Sequence, residues 1–566
     1  ADTHPRWSPD GTRLAFLSDR ANRGIAGVYV IPADGGEAAP LVARKRAISD
    51  LAWSPDGAHL AFLAPDEPTE DDERREKGRD DADVYGERRL NQHLHLLDIE
   101  NGEVSQVATG DRHVAEVAWS PDGSRLGCVL WPAPEFESML DAQVVVVSRA
   151  GGEPRPVCRQ PAQALSWAAA GRLVFCGPHD PRGISGMTVW SVDPDGGVPV
   201  VIGTGREEGR CAVDLRAAPG AAGVAVVVAE GLATRIERRD ATDGTCQGVV
   251  HECRGALSAF DVAETTLALV QANPDTPPEV FAGPPGDLRQ LSDHHSELQD
   301  VRFGVVEEFE WPAPDGVRLD GVLVRPPDAG SMPLPAVVVP HGGPYGRSVP
   351  ALELGWSAWA TWLAGCGYAV LRPNYRGGLG RGHGFATAAR GGVGGIEFSD
   401  VMSMVDAAVA RGVADPARLG IGGWSQGGFL SAWAVTQTDR FRAAVVGAGP
   451  SDWDMMSATS DLPRFEAELV GSDPWDGPGP SSAAERSPIK YAARARTPVL
   501  ILHGQEDKRV PVSQAVAWER ALRAHRVPVQ LVTYPREPHG IGELRHQRDV
   551  LARVRDWFDR WLGQTR

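Results

Sequence analysis

No stretch of about 18 consecutive apolar residues occurs along these 566 residues, so no helix of membrane-spanning type is expected. Nor is there a basic excess. Lys and Arg number 57 against 75 Asp and Glu, a net charge of -18, which argues against nucleic acid as a main partner. Cysteine is sparse and unpatterned: Cys128, Cys158, Cys176, Cys211, Cys246, Cys253 and Cys366 form no C-x-x-C pair. Thiols used as small buried apolar groups fit a reducing compartment, and a cytoplasmic location is expected. The G-x-x-x-x-G-K phosphate loop is absent, and His93, His95, His294 and His295 lack neighbouring ligands at suitable spacing. Hence no metal and no cofactor is expected. The first residues, ADTHPRW, include no methionine, which fits a processed start. The sequence leaves a homo-oligomer open.

Turn chemistry, by contrast, is abundant. The chain carries 65 Gly and 45 Pro, and its length exceeds what one hydrophobic core serves, so at least two domains are expected. The motif WSPDG occurs at Trp7–Gly11, Trp53–Gly57 and Trp119–Gly123, and a degenerate copy, LSWAAAGRLVFCG, starts at Leu165. In it proline presets φ, aspartate bonds its own backbone and glycine accepts positive φ. Apolar alternation follows each copy (TRLAFLS, AHLAFLA, SRLGCVL), as in antiparallel strands. The tryptophans recur at intervals of 46, 66 and 48 residues, the period of β-propeller blades. Weaker blade-like stretches begin at Cys211 and Leu257, giving about six blade starts before residue 295. The one long interval contains Asp66 to Arg89, dense in charge of both signs. This reads as a solvated loop or loose helix, with guarding an entrance or a subunit contact as the functional alternative.

The pattern changes near residue 310. Apolar runs ending in polar or glycine turns (LPAVVVPHGG, GYAVLRPNYRGG, RLGIGGWSQGG, FRAAVVGAGP, TPVLILHGQED, PVQLVTYPRE) alternate with helical stretches 398–411, 427–438, 513–525 and 543–562. Strands buried on both faces with intervening helices mean an open, mainly parallel α/β sheet, with functional loops beyond the strands' carboxyl ends. The expected organisation is a propeller over residues 1–300 and an α/β domain over 301–566.

Gly423-Trp424-Ser425-Gln426-Gly427 satisfies G-x-S-x-G between a predicted strand and a predicted helix, the setting of a nucleophile elbow. A serine hydroxyl needs a base, and the base an orienting acid, following later in the order acid then histidine. Asp507 and His539, each just past a strand, are preferred. The rivals are Glu506 and Asp473 as acid, and His503, His525 and His546 as base. His503 reads as a structural hydrogen-bonding residue; His525 and His546 read as exposed on helices. Oxyanion donors are expected from the backbone N–H groups of Gln426 and of Gly343, in the turn His341-Gly342-Gly343-Pro344. Tyr345 reads either as a further hydroxyl donor or as packing. In the stretch 451–471, Trp453, Met456 and Phe465 read equally as apolar pocket contacts or as simple packing, and Arg464 and Glu466 are candidates for a peptide terminus; Trp424 joins the candidate pocket residues.

The segments HGGP, NYRGGLGRGHGF, GGWSQGG, TPVLILHGQEDKRVP and YPREPHG, behind the WSPDG repeats, resemble the prolyl oligopeptidase family of serine peptidases, acylaminoacyl-peptidase-like branch. The resemblance implies a six- to seven-bladed β-propeller capping an α/β-hydrolase domain, with catalysis in the cavity between them. It maps the triad to Ser425, Asp507 and His539 and the oxyanion donors to Gly343 and Gln426. It also implies a short peptide or acyl-peptide substrate, folded proteins being excluded by the cap. A carboxylester hydrolase or biosynthetic acyl-transfer enzyme on the same scaffold is the alternative.

Overall fold

A computed structural model describes residues 2–563 apart from 181, 182, 184, 207, 218–222, 264 and 476–481. Residues 218–222 and 264, inside the fifth and sixth repeat stretches, therefore lie outside the described residues. Six four-stranded antiparallel sheets occupy residues 2–42, 50–107, 113–159, 163–201, 211–253 and 256–290. Their first strands lie against one another in succession, so the sheets form the blades of a propeller. Six blades are present, the lower of the two numbers expected.

The repeated motif builds the same turn in three of the blades. In each copy the serine hydroxyl donates to the aspartate (Ser8 to Asp10 2.6 Å, Ser54 to Asp56 2.5 Å, Ser120 to Asp122 2.6 Å). Gly11, Gly57 and Gly123 all adopt φ near +70°. Those serine bonds, with backbone N–H donors, hold all three carboxyls down at about 2. The tryptophan joins blades: Trp53 Nε1 donates to Arg6 O of blade 1 at 3.0 Å, and Trp119 Nε1 to Ala52 O of blade 2 at 3.1 Å. Trp7, in the first blade, is 57% exposed. The charged insertion contains helix α1 (Glu70–Gly78), with no buried residue and started by a Thr69–Asp72 capping box, so the loose-helix reading holds for that segment.

Beyond residue 300 one sheet of eight strands forms: β1 (Val305–Pro312), β2 (Arg318–Arg325), β3 (Leu334–Val338), β4 (Ala369–Asn374), β5 (Ala414–Trp424), β6 (Ala443–Gly447), β7 (Val499–Gly504) and β8 (Val529–Tyr534). Their order is β1-β2-β4-β3-β5-β6-β7-β8. The antiparallel pair β1–β2 at one edge was not among the expected strands; the six expected ones are all present and parallel. Alternate residues feed opposite faces. Val446 and Ile501 pack with Met404, Phe429 and Trp433, while Val445 and Leu500 pack with Trp359 and Phe558. With both faces covered, each strand reads as a continuous apolar run. The covering helices are α2 (Trp359–Gly365), α3 (Ile396–Ala410), α4 (Gln426–Gln437), α5 (Trp453–Thr459), α6 (Pro463–Val470), α7 (Ser513–Ala524) and α8 (Leu544–Leu562). No helix among the described residues is long and apolar enough to cross a membrane.

Polar contacts dock the two halves. Arg347 donates to Gly231 O (2.9 Å), Ala233 O (2.7 Å) and Thr234 Oγ1 (2.6 Å) of blade 5, and Gly231 N donates to Gly380 O at 2.7 Å. On the other side Arg464 pairs with Asp141 (2.7 Å) of blade 3, and its backbone N–H donates to Glu137 Oε1 at 2.7 Å. Between these anchors lies a cavity of about 840 Å³ walled by both domains.

If the indole bonds join the blades, Trp119→Phe keeps the ring bulk but removes one donor. It is expected to cost about 1 kcal/mol, read as a lowered urea midpoint of the propeller transition.

Candidate active site

β5 ends at Trp424 and α4 begins at Gln426, so the chain reverses within one residue. Ser425 takes φ 61° and ψ -122°, a conformation non-glycine residues rarely adopt. The turn needs close backbone approach on both sides. A Cβ on Gly427 would lie 2.2 Å from Pro340 O, and one on Gly423 would lie 2.8 Å from Gly427 C. Ser425 N donates to Gly447 O at 2.8 Å, tying the elbow to β6.

The turn after β3 presses on this elbow, since a Cβ on Gly342 would sit 3.5 Å from Ser425 Cβ. His341 holds the turn rather than facing outward. Its ring stacks on Tyr375 at 4.1 Å, Nδ1 donates to Gly342 O at 2.9 Å, and Tyr375 OH donates to His341 O at 2.7 Å. Burial lowers the imidazole to about 4, so it is neutral near neutral pH. The backbone N–H groups of Gly343 and Gln426 enter no hydrogen bond among the described residues; Gln426 is the first residue of α4, where such donors have no partner inside the helix.

The candidate acid and base meet across two later loops. His539 Nδ1 and Asp507 Oδ2 are 2.7 Å apart. Asp507 also accepts from Val510 N at 2.9 Å and faces His503 Nε2 at 3.4 Å. Burial alone would raise the Asp507 carboxyl, but the hydrogen bonds from His503 and His539 hold it at about 2. His503 Nε2 donates to Val510 O at 2.6 Å, a structural bond as expected from its place at the strand end. The His539 loop reaches the elbow through Trp424, whose Nε1 donates to His539 O at 2.8 Å.

Several candidates have other duties. Trp424 is that strut, packed edge-on against Trp356 at 4.7 Å, and so is not a free pocket wall. Trp453 is 1% exposed and packs on Phe429 at 5.0 Å inside the core, away from the cavity. Arg464 lines the cavity, but its charge is engaged by Glu137 and Asp141. Glu466 is buried and does not line the cavity; burial raises its carboxyl to about 8. Tyr345 and Phe465 do line the cavity, their rings 6.2 Å apart and edge-on. Ser425 is not in that lining. The turn from His341 to Tyr345 links the two, touching the elbow at Gly342 and the cavity at Tyr345.

Two contributors escaped the sequence reading. Arg347, four residues past Gly343, ties the candidate oxyanion turn to blade 5, and a positive charge beside HGGP was the only local signal. Glu537, two residues before His539, is 2% exposed and accepts from Gly542 N (2.7 Å), Glu543 N (2.9 Å) and His546 Nδ1 (2.6 Å). His546, expected to be exposed, is therefore half-buried against this carboxylate. The ligand atoms of Glu537, Glu543 and His546 lie within 4.8 Å of one another, and Arg536 further occupies Glu543, so the group braces the His539 loop.

Residues 356–565 match the family model described as Prolyl oligopeptidase family. The "Uncharacterized peptidase YuxL" of Bacillus subtilis (strain 168) is 29% identical over 629 residues, covering 99% of this chain and 90% of that protein. The acylamino-acid-releasing enzyme of Rattus norvegicus is 30% identical over 337 residues, 55% of this chain but only 44% of that enzyme's length. Among solved structures, the Pyrococcus horikoshii acylaminoacyl peptidase superposes with a TM-score of 0.83 at 21% identity, covering 100% of this chain and 89% of its own. A Mycobacterium tuberculosis puromycin-hydrolyzing peptidase superposes with a TM-score of 0.76 at 22% identity, covering 100% and 87%. These two likenesses bear on the fold.

Removing the brace should misplace the base without emptying the site. Glu537→Gln, which puts an amide N–H against the Gly542 N–H, is expected to lower kcat about 10-fold or more with KM within about twofold. Glu466→Gln tests the buried carboxyl. The native state holds this proton up to about pH 8 while the unfolded chain releases it near 4.5. Native protein then binds more protons between those values, so stability falls as pH rises through that window. The variant is expected to flatten that decline in thermal midpoint.

Proposed function

We propose that the chain is a serine peptidase of the prolyl oligopeptidase family, whose model its residues 356–565 match, and that it hydrolyses short peptide or acyl-peptide substrates through Ser425, His539 and Asp507. Ser425 Oγ attacks the scissile carbonyl while His539 Nε2 takes its proton and later delivers it to the leaving amine. Asp507, bonded to Nδ1, fixes the imidazole tautomer and stabilises the imidazolium. The oxyanion is held by the N–H groups of Gly343 and Gln426. A water activated by the same histidine then hydrolyses the acyl-enzyme.

The observation that carries this reading is the strained Ser425 elbow, with the 2.7 Å His539–Asp507 pair bonded to it through Trp424. Asp507, held at about 2, stays ionised across the neutral range, as the role of orienting acid requires. The cap supports small substrates: a cavity of about 840 Å³ between two docked domains accommodates a few residues, not a folded protein.

Fluorophosphonate labelling is expected at one site and to vanish in Ser425→Ala, with kcat/KM for a peptide p-nitroanilide falling about 10⁴-fold or more. The enzyme is expected to cleave that anilide and leave intact casein untouched. Hydrolysis of a matched ester with no anilide turnover would favour the carboxylester hydrolase, and casein digestion would defeat the size filter.

A further inference from the structure

The propeller wall of the interdomain cavity has donors to spare and no spare carboxylate. Arg112, which precedes blade 3, lines the cavity and donates to the neutral amide oxygen of Gln143. Arg159, the cross-strand neighbour of Gln143, lines it too. Neither arginine pairs with a carboxylate among the described residues. Next to them Gln160, 7% exposed and also in the lining, has an amide nitrogen with no hydrogen-bond partner.

The acidic lining residues are taken. Asp141 is held by Arg464 at 2.7 Å and Glu468 by Arg390 at 2.6 Å. A substrate ammonium group would therefore have to break an existing ion pair and would meet two unneutralised guanidinium groups. A neutral acyl oxygen would satisfy Gln160 but leave both cations without a counter-charge. A carboxylate satisfies all three, because guanidinium presents paired N–H donors matched to its two oxygens. The local excess of positive charge stands out in a chain of net charge -18.

We infer that the propeller wall of this cavity binds a substrate carboxylate through Arg112, with Arg159 and the Gln160 amide as further donors. The group is either the free C-terminus of a short peptide or an acidic side chain. This rests on the cavity being the substrate cavity of the peptidase proposed above. It makes the propeller a contributor to specificity as well as a size filter.

Binding and turnover are measured separately. Calorimetry on Ser425→Ala protein uses four probes: acetyl-tetraalanine as acid and as amide, and acetyl-Glu-Ala-Ala-Ala-amide against its Gln counterpart. The acid member of one pair is expected to bind about 10-fold more tightly. The first pair reports a C-terminal carboxylate and the second a side chain. The advantage should shrink at high salt and disappear with Arg112→Gln or Gln160→Leu added, the neutral members binding as before. Equal affinities within both pairs, no binding at all, or an advantage that survives Arg112→Gln would overturn the inference. Wild-type protein that binds the acid probe but never cleaves it would instead overturn the peptidase reading and leave the carboxylate site standing.

Discussion

The site depends on one strained residue. Holding Ser425 at φ 61° costs about 1–3 kcal/mol and persists only where its surroundings over-determine it. Those surroundings are backbone: Gly427 lies against the Pro340 carbonyl, Gly423 against Gly427, and the Ser425 N–H bonds to Gly447. The same crowding that fixes the serine brings the Gly342 turn alongside it. The proposed nucleophile and oxyanion donors are thus positioned by a single packing event at the carboxyl ends of β3, β5 and β6.

The proposed base, His539, reaches that point from a loop far along the chain, and two side chains bring it there. Trp424, adjacent to the serine, bonds the His539 carbonyl, and Glu537 pins the residues that follow through three donors. Asp507 approaches from the loop after β7, which meets the same segment where Gly504 lies against the Glu537 and Pro538 carbonyls. Removing charge from the brace thus acts on the imidazole's position, with no contact to a reacting atom.

The cap is bonded to this machinery rather than resting on it. Arg347 follows the oxyanion turn and inserts its guanidinium among blade 5 acceptors, while the Arg464 contacts hold blade 3 over α6. The cavity between these anchors carries its unpaired cations on the propeller side and its paired carboxylates toward the hydrolase side. In the proposed reading, blade position and substrate electrostatics are consequently linked to the geometry of the oxyanion donors.

Local chemistry was readable without coordinates. WSPDG encodes its turn in three adjacent side chains, the parallel strands declare themselves as apolar runs because both faces are buried, and G-x-S-x-G between strand and helix marks the elbow because only glycines tolerate that crowding. Contacts between distant segments were not readable. The tryptophans of the repeat turned out to join blades, Trp453 to fill the core and Arg464 to bridge domains, since an exposed-looking polar or aromatic residue does not announce which surface will cover it. The same holds for Glu537, Arg347 and the cationic wall around Arg112. Each owes its role to partners brought together by the docking of a propeller on a sheet, an arrangement that sequence spacing does not encode.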